Sequence, residues 1–578
     1  MVDPAPPFAL FENHRAGSGR PASHLFWAPV EQIRTDDGAE VAAALDRVQD
    51  RARAGLFVCG YLTYEAGYSL VEVDRPFLRR AEARARSLPL VSFFAFRRHE
   101  ALDVEAAGAL LRRIGGARPC AVYDVELGES REAHAAKIAR IHEYIRAGDT
   151  YQVNHTFRCR LRYEGTAASL YAGLRDRQPV EHGAFLDFPE ARVLSVSPEL
   201  FVRKEGDVLT CKPMKGTAAR GRTPDEDAAI ARALGADPKT QSENVMIVDL
   251  VRSDIGRLAS PGSVRVTRLF EVQTFGTVHQ VTSTIEGEVA RSLSVADAFR
   301  RLFPCGSVTG APKPRTMQII EDLEDEPRGV YTGAVGRVMP DGDFDFNVAI
   351  RTLVSTVDGV AELGIGSGIV HESEASSEYA ESVLKARFAT GLNDAFQLVE
   401  TMRFDAGRGE PARLEHHLRR IVASARTFGF CCEPTRLLAA IAAATSGAPP
   451  GPHKLRLTLG QDGAARAALS PLDDGPTDRR RVVVSPHAID SRSVFQRHKT
   501  TVRELYDREL ARADLLGAYD VLFLNERGEV AECARHNVFV EIDGEWLTPP
   551  LSAGALPGVQ RGLVLADPSM RAREAVLR

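Results

Sequence analysis

Short runs rich in β-branched and aromatic residues alternate with segments of helical periodicity, and this alternation limits the fold more than any other feature of the chain. The strand-like runs lie at 56–64, 191–204 and 336–355. The last run contains a Pro-Asp-Gly turn between two strand-like segments, which is typical of a β-hairpin. Helical periodicity is clear over 243–258 and 377–389. This mixture predicts an α/β or α+β fold with partly antiparallel sheets.

The chain is long and close to neutral, which narrows the classes of protein that it can belong to. Its 578 residues exceed the size of one ordinary core, so we expect two to four domains. A formal charge of −5, from 73 basic and 78 acidic residues, gives no electrostatic reason for binding to nucleic acid or to an anionic membrane. We therefore expect a small molecule or another protein as the partner.

No targeting or membrane segment is visible in the sequence. The first residues lack the basic and apolar regions of a signal peptide, and no uncharged apolar run approaches the roughly 18 residues of a transmembrane helix. The eight cysteines include no Cys-x-x-Cys pair and no Cys/His cluster with zinc spacing. These features predict a cytoplasmic enzyme with reduced cysteines.

Two glycine-rich segments look like nucleotide-binding loops but lack the required spacing. In 306–314, only three residues separate the two glycines and the lysine is followed by proline, which excludes a Walker motif. The segment 364–370 lacks both the dinucleotide-binding spacing and the helix that should follow it. For its glycines we expect a close approach of the backbone to a ligand or to a neighbouring strand.

Four ordered motifs lie between residues 150 and 390. They are YQVNHT at 151–156, SPELFV at 197–202, KPMKGTAARG at 212–221 followed by SENVMIVDLVRSDIGR at 242–257, and ESEASSEYAESVLKA at 372–386. With these motifs, and with FPCGSVTGAPKP, RGVYTGAVG, IRT and GIGSGIV, the chain resembles the chorismate-utilising enzymes over roughly 55–390. That family includes anthranilate synthase, isochorismate synthase and aminodeoxychorismate synthase. The resemblance implies an α+β, anthranilate synthase-like fold of layered β-sheets with helices, with an N-terminal part at 1–120 and a catalytic domain at 121–392.

Acidic residues on two predicted helices are candidates for a metal site. Glu378, Glu381 and Lys385 share one helix face, and Glu243 begins another helix. From the residues alone, a solvated Glu–Lys pair and a helix-dipole contact are the favoured explanation, because such pairs are common. Carboxylates from separate helices also suit Mg²⁺. The family resemblance implies that Glu243 and Glu381 hold Mg²⁺ and that Glu378 accompanies them.

Two positions distinguish the reactions of the family. Isochorismate-forming members carry a lysine base where this chain has Gln152, and anthranilate synthases carry alanine where this chain has Lys215. A lysine at the second position resembles aminodeoxychorismate synthase component I, in which the amine adds to chorismate C2 while the C4 hydroxyl leaves, and ammonia then attacks C4. The resemblance therefore implies Lys215 as a nucleophile, which must be neutral when it attacks. An anthranilate-type reaction is the alternative.

The resemblance also assigns an acid and a set of substrate contacts. Glu199 matches the general acid that protonates the departing oxygen. The positions that match substrate-contacting residues of the family are His279, Ser307, Tyr331, Arg351, Gly366, Gly368 and Lys385. Arg351 suits bidentate capture of a carboxylate. The chain departs from the family at Thr240, where an acidic residue is usual, and at Ser253, where asparagine is usual, so we expect a weaker outer shell around the metal.

The source of ammonia is not encoded in a recognisable motif. The sequence has no Cys/His/Glu glutaminase signature. Either a separate glutamine amidotransferase binds to this chain, or the enzyme uses free ammonia. The family resemblance implies the separate amidotransferase subunit.

The sequence pattern changes near 390–395, and residues 393–578 form a predicted second domain with its own motifs. These are FQLVETMRF at 396–404, LEHHLRR at 414–420, KLRLTL at 454–459, HKTT at 498–501, GEVAECARHNVFV at 528–540 and TPPLSAGALPGVQR at 548–561. With them the segment resembles the fold-type IV pyridoxal-phosphate (PLP) family, an α/β fold of the D-amino acid aminotransferase type. That family includes branched-chain aminotransferases and aminodeoxychorismate lyase.

This second resemblance implies a PLP site. Lys499 matches the Schiff-base lysine and Glu532 the residue that faces the pyridinium nitrogen. Arg420, with the backbone at Gly558 and Val559, matches the phosphate cradle. Asn537 matches a residue at the edge of the site.

Together the two resemblances imply a bifunctional enzyme of 4-aminobenzoate and folate synthesis. The second domain would release pyruvate from aminodeoxychorismate. The chain ends at REAVLR, where relatives continue with a further strand and helix, so we expect a pocket that lacks one wall and a lyase half that is slow, low in cofactor or purely structural. Analogy with the PLP family suggests a homodimer through this domain.

Overall fold

The structure is a computed structural model that describes residues 4–14, 23–71, 73, 77, 84, 86–116, 120–221, 223–275, 278–407, 409–472 and 480–578. The chain divides into two compact units. One contains the residues up to 120 and from 125 to 392, and the other contains 121–124 and 393–578. Among the described residues, no helix is long and apolar enough to cross a membrane.

The part of the chain before residue 393 alternates strands and helices, as the sequence predicts. Its strands are β1 (Phe8–Glu12), β2 (Ser23–Thr35), β3 (Phe57–Leu62), β4 (Val91–Leu102), β5 (Ala121–Leu127), β6 (Gln152–Glu164), β7 (His182–Asp187), β8 (Arg192–Ser197), β9 (Leu200–Glu205), β10 (Val208–Lys212), β11 (Met214–Ala219), β12 (Arg265–Thr274), β13 (Val278–Glu288), β14 (Gly310–Ala311), β15 (Ala334–Val338), β16 (Phe344–Val348), β17 (Thr352–Val357) and β18 (Val360–Ile369). Its described helices are α1 (Val41–Arg53), α2 (Val104–Gly115), α3 (Arg131–Arg146), α4 (Ala167–Arg177), α5 (Pro224–Ala236), α6 (Pro238–Gly256), α7 (Val295–Leu302), α8 (Lys313–Leu323) and α9 (Ala375–Thr390).

Antiparallel pairing links these strands into one continuous hydrogen-bonded path. The path runs β12–β13–β10–β9–β16–β15–β3–β4–β2–β1–β7–β8–β17–β18–β6–β14, and β11 also pairs with β13. Buried residues from distant parts of the path share one core, in which Phe26 on β2 and Tyr61 on β3 pack with Leu186 on β7. The layered, partly antiparallel architecture predicted from the sequence is confirmed.

The local predictions from periodicity agree with the structure. The Pro-Asp-Gly turn joins β15 to β16, and Met339 N donates to Asp343 O at 2.8 Å across it. The predicted helix at 243–258 is α6, which begins earlier because the Asp237 side chain accepts a hydrogen bond from Thr240 N and caps it. Ile247 and Val251 lie on its buried face, because that face packs against the core beside β13.

The described residues of the second unit form three small sheets. Its strands are β19 (Leu398–Asp405), β20 (Pro452–Leu459), β21 (Ala465–Pro471), β22 (Val482–Val484), β23 (Asp520–Leu524), β24 (Val530–Cys533), β25 (Val540–Ile542), β26 (Glu545–Thr548) and β27 (Ala572–Glu574). Its helices are α10 (Leu414–Phe428), α11 (Pro434–Thr445), α12 (Glu504–Leu515) and α13 (Val559–Ala566). The sheets are β19–β20–β21, β22–β23–β24 and β25–β26–β27.

Alternating burial explains how the first of these sheets forms. On β20, Leu455, Leu457 and Leu459 are buried while the residues between them are more exposed, which is the period of a strand with one covered face. α10 and α11 supply that cover, through Ile421 and Leu437 among others.

The core of the first unit generates a stability prediction. Leu45 on α1 is fully buried, so Leu45→Ala is expected to lower the free energy of unfolding by about 2–5 kcal/mol through lost burial and a residual cavity. Leu269→Ala, at a side chain that is 50% exposed, is the control and should change it by no more than about 0.5 kcal/mol. Denaturant unfolding of the first unit measures both, and equal effects would contradict the assigned core.

Candidate active site

A cavity of about 240 Å³ in the first unit collects most of the residues singled out by the sequence. The predicted residues that line it are Glu199, Lys215, Glu243, Ser307, Tyr331, Arg351, Gly366, Gly368, Glu378, Glu381 and Lys385. They come from β9 and its approach, β11, β18, α6, α9 and the connecting loops. Residues separated by more than 180 positions in the chain therefore face one enclosed space.

Lys215 and Glu199 are linked through one residue. The Lys215 Nζ donates to the Ser307 carbonyl oxygen at 3.0 Å, and the Ser307 hydroxyl donates to Glu199 Oε1 at 2.6 Å. Burial lowers the pKa of Lys215, although the carboxylates of Glu243 and Glu199 oppose that shift. Burial also raises the pKa of Glu199 to about 7, and the Ser307 hydrogen bond limits the rise.

Both pKa shifts favour the neutral form of the side chain, although one pKa is lowered and the other is raised. A depressed lysine pKa increases the fraction of neutral amine, and a raised glutamate pKa keeps a proton on the carboxyl near pH 7. The cavity thus holds an amine that can attack and an acid that can donate, a short distance apart.

Three carboxylates from two helices form the other wall. Burial raises the pKa of Glu243 on α6, and the charges of Glu378 and Glu381 on α9 raise it further. Lys385 offsets part of this charge, because its Nζ lies 2.8 Å from Glu381 Oε1 and donates to Gly366 O at 2.9 Å. Carboxylate oxygens that repel one another in a partly buried site suit Mg²⁺, which prefers oxygen ligands.

α9 is fixed in place by a buried polar cluster behind it. The hydroxyl of Tyr379, next to Glu378, donates to the Glu129 carbonyl oxygen at 3.0 Å. The Glu129 carboxylate in turn contacts His134 at 2.9 Å, His155 at 3.0 Å and Lys137 Nζ at 2.7 Å. A carboxylate with three partners is well satisfied inside a protein, so this cluster ties α3, β6 and α9 together.

β18 presents bare backbone to the cavity, as the glycine-rich segment predicts. A Cβ atom at Gly368 would lie 2.9 Å from Gln152 Nε2 and 3.2 Å from Lys215 Nζ. At Gly366 it would lie 2.2 Å from the His155 carbonyl oxygen. Side chains at these positions would displace the groups around Lys215.

Arg351 is held in a strained conformation at the edge of the cavity. Its φ of 48° is in the left-handed region, which non-glycine residues rarely adopt. Its Nη2 donates to Gln280 Oε1 at 3.3 Å, while its Nη1 is buried and has no hydrogen-bond partner within the described part of the chain. Burial lowers its pKa to about 10. A buried guanidinium with a free N–H fits an anionic ligand group.

The second unit brings together the residues predicted to hold PLP. Burial lowers the pKa of Lys499 to about 8, and the charge of Arg420 contributes. Arg420 is clamped by Glu400 on β19 at 2.8 and 2.6 Å, and its Nη1 donates to Pro557 O at 3.0 Å. That carbonyl directly precedes Gly558, the N-cap of α13.

Glu532 and Asn537 complete this group. Glu532 on β24 accepts hydrogen bonds from Leu556 N at 2.8 Å and from the Tyr506 hydroxyl at 2.9 Å, and burial raises its pKa to about 7. The Asn537 amide donates to Leu556 O at 3.0 Å. A Cβ atom at Gly558 would lie 1.9 Å from Asn537 Oδ1. Val559 begins α13, so a guanidinium and a helix N-terminus meet there, and together they suit a phosphate group.

Comparison with known proteins gives a family match for each of the two regions. Residues 6–391 match the family model of chorismate binding enzymes, which covers more than half of the chain. The chain belongs to this family. Residues 397–575 match the model of class IV aminotransferases, and this matched region contains Lys499 and Glu532. In the sequence, a PLP-type domain therefore follows the chorismate-binding region.

Individual relatives support the family membership. Sequence identity alone does not distinguish between the reactions of the family, because relatives with different reactions are almost equally similar. Aminodeoxychorismate synthase of Streptomyces griseus is 42% identical over 49% of this chain and 40% of that protein. An anthranilate synthase component 1 of Haloarcula marismortui is 40% identical over 48% of this chain and 54% of that protein. The chain thus spans about half or less of the length of these relatives. The crystal structure of anthranilate synthase component I from Streptococcus pneumoniae aligns with a TM-score of 0.53 at 25% identity, covering 67% of this chain and 93% of that one.

One predicted contact residue of the chorismate-binding unit lies apart from the cavity. His279 on β13 is not among the residues that line it. Its Nε2 lies 2.8 Å from Asp227 Oδ1 and its Nδ1 lies 2.9 Å from Thr274 Oγ1. In this structure His279 therefore holds α5 against the sheet, and its predicted contact with substrate stays a prediction.

Other cavity residues escape the sequence analysis. Asn154, Lys239 and Gln280 line the cavity, as does Thr240, which the sequence marks only as a departure from the family. Lys239 stands in the first turn of α6, four residues before Glu243, and that helix spacing was the available signal. Gln280 is adjacent to His279 on β13, where alternation places the two side chains on opposite faces.

Proposed function

We propose that this enzyme converts chorismate and ammonia to 4-amino-4-deoxychorismate, and that residues 393–578 then release pyruvate to give 4-aminobenzoate. The observation that carries the proposal is Lys215, a lysine of depressed pKa inside the cavity, linked through Ser307 to a protonatable Glu199. The family membership supplies chorismate as the substrate class.

In the first step the neutral amine of Lys215 forms a bond to C2 of chorismate as the C4–oxygen bond breaks. Glu199, with its raised pKa, donates the proton that lets the oxygen leave as water. In the second step ammonia bonds to C4, the C2–nitrogen bond breaks, and the Lys215 amine is released. Arg351, with a free buried N–H, would bind a substrate carboxylate.

Two carboxylates would hold Mg²⁺ in this site. Glu243 and Glu381 are the proposed ligands, with Glu378 beside them, and the ion would supply charge to bind and orient a substrate carboxylate. Their mutual repulsion supports this assignment, because a divalent cation relieves it.

In the second unit Lys499 would carry PLP, which supplies an electron sink when bound. Its pKa of about 8 gives it a neutral fraction near pH 7, so it can also take up the proton lost from ring C4. Glu532 would contact the pyridine nitrogen, while Arg420 and the start of α13 at Gly558 and Val559 would hold the phosphate. The enolpyruvate leaving group gains a proton and becomes pyruvate.

Further assignments complete the proposal. Ammonia is delivered by a separate glutamine amidotransferase subunit. The enzyme acts in the cytoplasm, in the branch that leads to folate, and forms a homodimer through the PLP-type domain. The alternative is an anthranilate-type synthase. Its support is the 40% identity to an anthranilate synthase component 1. Lys215 argues against it, because a lysine there suits transient addition to the ring.

Removing the nucleophile tests the reaction directly. Lys215→Ala is expected to lower formation of 4-amino-4-deoxychorismate by about a thousandfold or more, because the lysine addition step is lost. The assay is product analysis by mass spectrometry with chorismate, Mg²⁺ and an ammonium salt. Lys212→Ala, on the neighbouring strand β10 and outside the cavity, is the matched control and should retain activity. Undiminished output from Lys215→Ala would refute the nucleophile, and anthranilate from the unmodified enzyme would favour the alternative.

The pH profile tests Glu199 as the acid. Because the protonated form is active, the synthase rate should fall as pH rises through about 7. The Ser307 hydroxyl donates to the carboxylate and so holds this pKa down. Ser307→Ala should therefore move the alkaline limb of kcat to higher pH, and Glu199→Gln should remove the limb together with most activity. A limb that stays in place in Ser307→Ala would count against this assignment.

Cofactor binding tests the second unit. The full chain incubated with PLP should show a visible absorbance band of lysine-bound cofactor, and Lys499→Ala should lose it. Lys454→Ala, at an exposed lysine on β20, serves as the control and should keep the band. Absence of a band in the unmodified chain would mean that this unit is a structural module.

A further inference from the structure

A buried arginine contacts the wall of the reaction cavity from outside it. Arg328 is 3% exposed and does not line that cavity, whereas Tyr331, in the same RGVYTGAVG motif at 328–336, does. Arg328 lies in the loop between α8 and β15, and no step of the proposed reaction uses it. A buried charge is costly unless it is paired and hydrogen-bonded, so its partners indicate what it does.

Every N–H group of the Arg328 guanidinium has a partner within the protein. Its Nε and Nη2 donate to the two carboxylate oxygens of Glu324 at 2.9 and 2.6 Å. Its Nη1 donates to the carbonyl oxygen of Val308 at 2.8 Å and to the Thr332 hydroxyl at 3.4 Å. Its Nη2 also donates to the carbonyl oxygen of Asn154 at 2.6 Å. A guanidinium has five N–H donors, so none is left for a ligand.

Glu324 and Tyr64 hold this guanidinium in its charged form and in one orientation. Burial disfavours the charge of Arg328, but the Glu324 carboxylate raises the pKa of the arginine above its ordinary value. The guanidinium carbon lies 4.5 Å from the centre of the Tyr64 ring, which is a cation–π contact. Glu324 is itself fixed, since it accepts hydrogen bonds from the backbone N–H of Thr156 at 2.8 Å and from the Thr156 hydroxyl at 3.0 Å.

The two carbonyl groups that accept from Arg328 belong to two different segments of the cavity wall. Val308 ends the 3-10 turn Gly306–Val308, and Asn154 lies on β6. Both residues line the reaction cavity. The two segments also bond directly, because Asn154 N donates to Thr309 O at 2.9 Å. Arg328 therefore joins the turn to the strand without entering the cavity.

The turn that Arg328 holds is the one that connects the nucleophile to the acid. Val308 directly follows Ser307. The Ser307 carbonyl oxygen accepts from Lys215 Nζ, and the Ser307 hydroxyl donates to Glu199 Oε1. Hydrogen bonds weaken steeply when their geometry is lost. A movement of the Val308 backbone would therefore affect the contacts of the amine and of the acid together.

We propose that Arg328 is a positioning residue for the synthase reaction, which holds the Val308 carbonyl, and through it Ser307, where Ser307 contacts both the amine and the acid. This inference rests on the proposed function. Lysine cannot take over this role, because an ammonium is a compact point charge with three donors and lacks the planar fork that reaches a carboxylate and two carbonyl groups at once.

The variant Arg328→Lys tests this role, because it keeps a positive charge beside Glu324 and removes the fork. We expect kcat for 4-amino-4-deoxychorismate to fall by about tenfold to a hundredfold, since a displacement of about 1 Å near the reacting groups can cost that much. A displaced Ser307 also no longer holds down the pKa of Glu199. The alkaline limb of kcat should therefore move up by about 0.5–1 pH unit, the worth of one hydrogen bond.

A combined variant separates positioning from a general loss of stability. If Arg328 acts through Ser307, Arg328→Lys together with Ser307→Ala should place the limb where Ser307→Ala alone places it. The other groups that face Glu199 are the Lys215 amine, the Met214 N–H and the Cys305 thiol, which none of these variants alters. Initial rates across pH with chorismate, Mg²⁺ and an ammonium salt supply the data.

Arg328→Met together with Glu324→Met is the second variant, in case Arg328→Lys does not fold. It replaces a buried ion pair by apolar side chains, a change that often leaves stability unharmed, and it keeps the net charge. It also removes the hydrogen bond to the Val308 carbonyl, so its alkaline limb should move in the same direction.

Arg175→Lys is the matched control. Arg175 is 6% exposed, pairs with Glu12 Oε1 at 3.0 Å and does not line the reaction cavity, so its variant should keep both kcat and the limb. A limb that stays in place in both Arg328 variants, or an additive shift in the combined variant, would overturn the positioning role alone. A lack of amination by the unmodified enzyme would overturn the proposed function and this inference together.

Discussion

The cost of burying charge governs the arrangement of residues around the cavity of the first unit. Lys215, Glu199 and three further carboxylates face a small space, where each charge would be expensive if it stood alone. Lys385 is paired with Glu381, and Glu199 accepts a hydrogen bond from Ser307. Burial also lowers the pKa of Lys215 and raises that of Glu199, so both shifts favour the neutral form of the side chain.

In the second unit, burial also shifts the pKa values of a lysine and a glutamate. Burial lowers the pKa of Lys499 to about 8 and raises that of Glu532 to about 7. Arg420 is paired with Glu400, whose two carboxylate oxygens accept hydrogen bonds from its Nε and Nη2. Each unit therefore contains a lysine whose pKa is lowered by burial, and each unit positions that lysine with a different set of strands and helices.

Local patterns predicted local structure well, and ordered motifs predicted most of the residues that meet in the cavity. The hairpin of β15 and β16 and the helices α6 and α9 follow from turn chemistry and periodicity. The orientation of His279 toward Asp227 does not, because it depends on where α5 docks. The left-handed φ of Arg351 and the cavity positions of Lys239 and Gln280 likewise depend on contacts between segments far apart in sequence. Periodicity carries no information about such contacts.

Gly364, Gly366 and Gly368 on β18 present backbone, with no side chain of their own, to the cavity. At Gly368 even a methyl group would press against Lys215 and Gln152. At Gly366 the obstacle is the His155 carbonyl oxygen, which belongs to the backbone, so new contacts with a substrate are easier to introduce on the opposite wall. An engineer seeking a new product from this fold should vary β11, the start of β6 and α6, and leave β18 untouched.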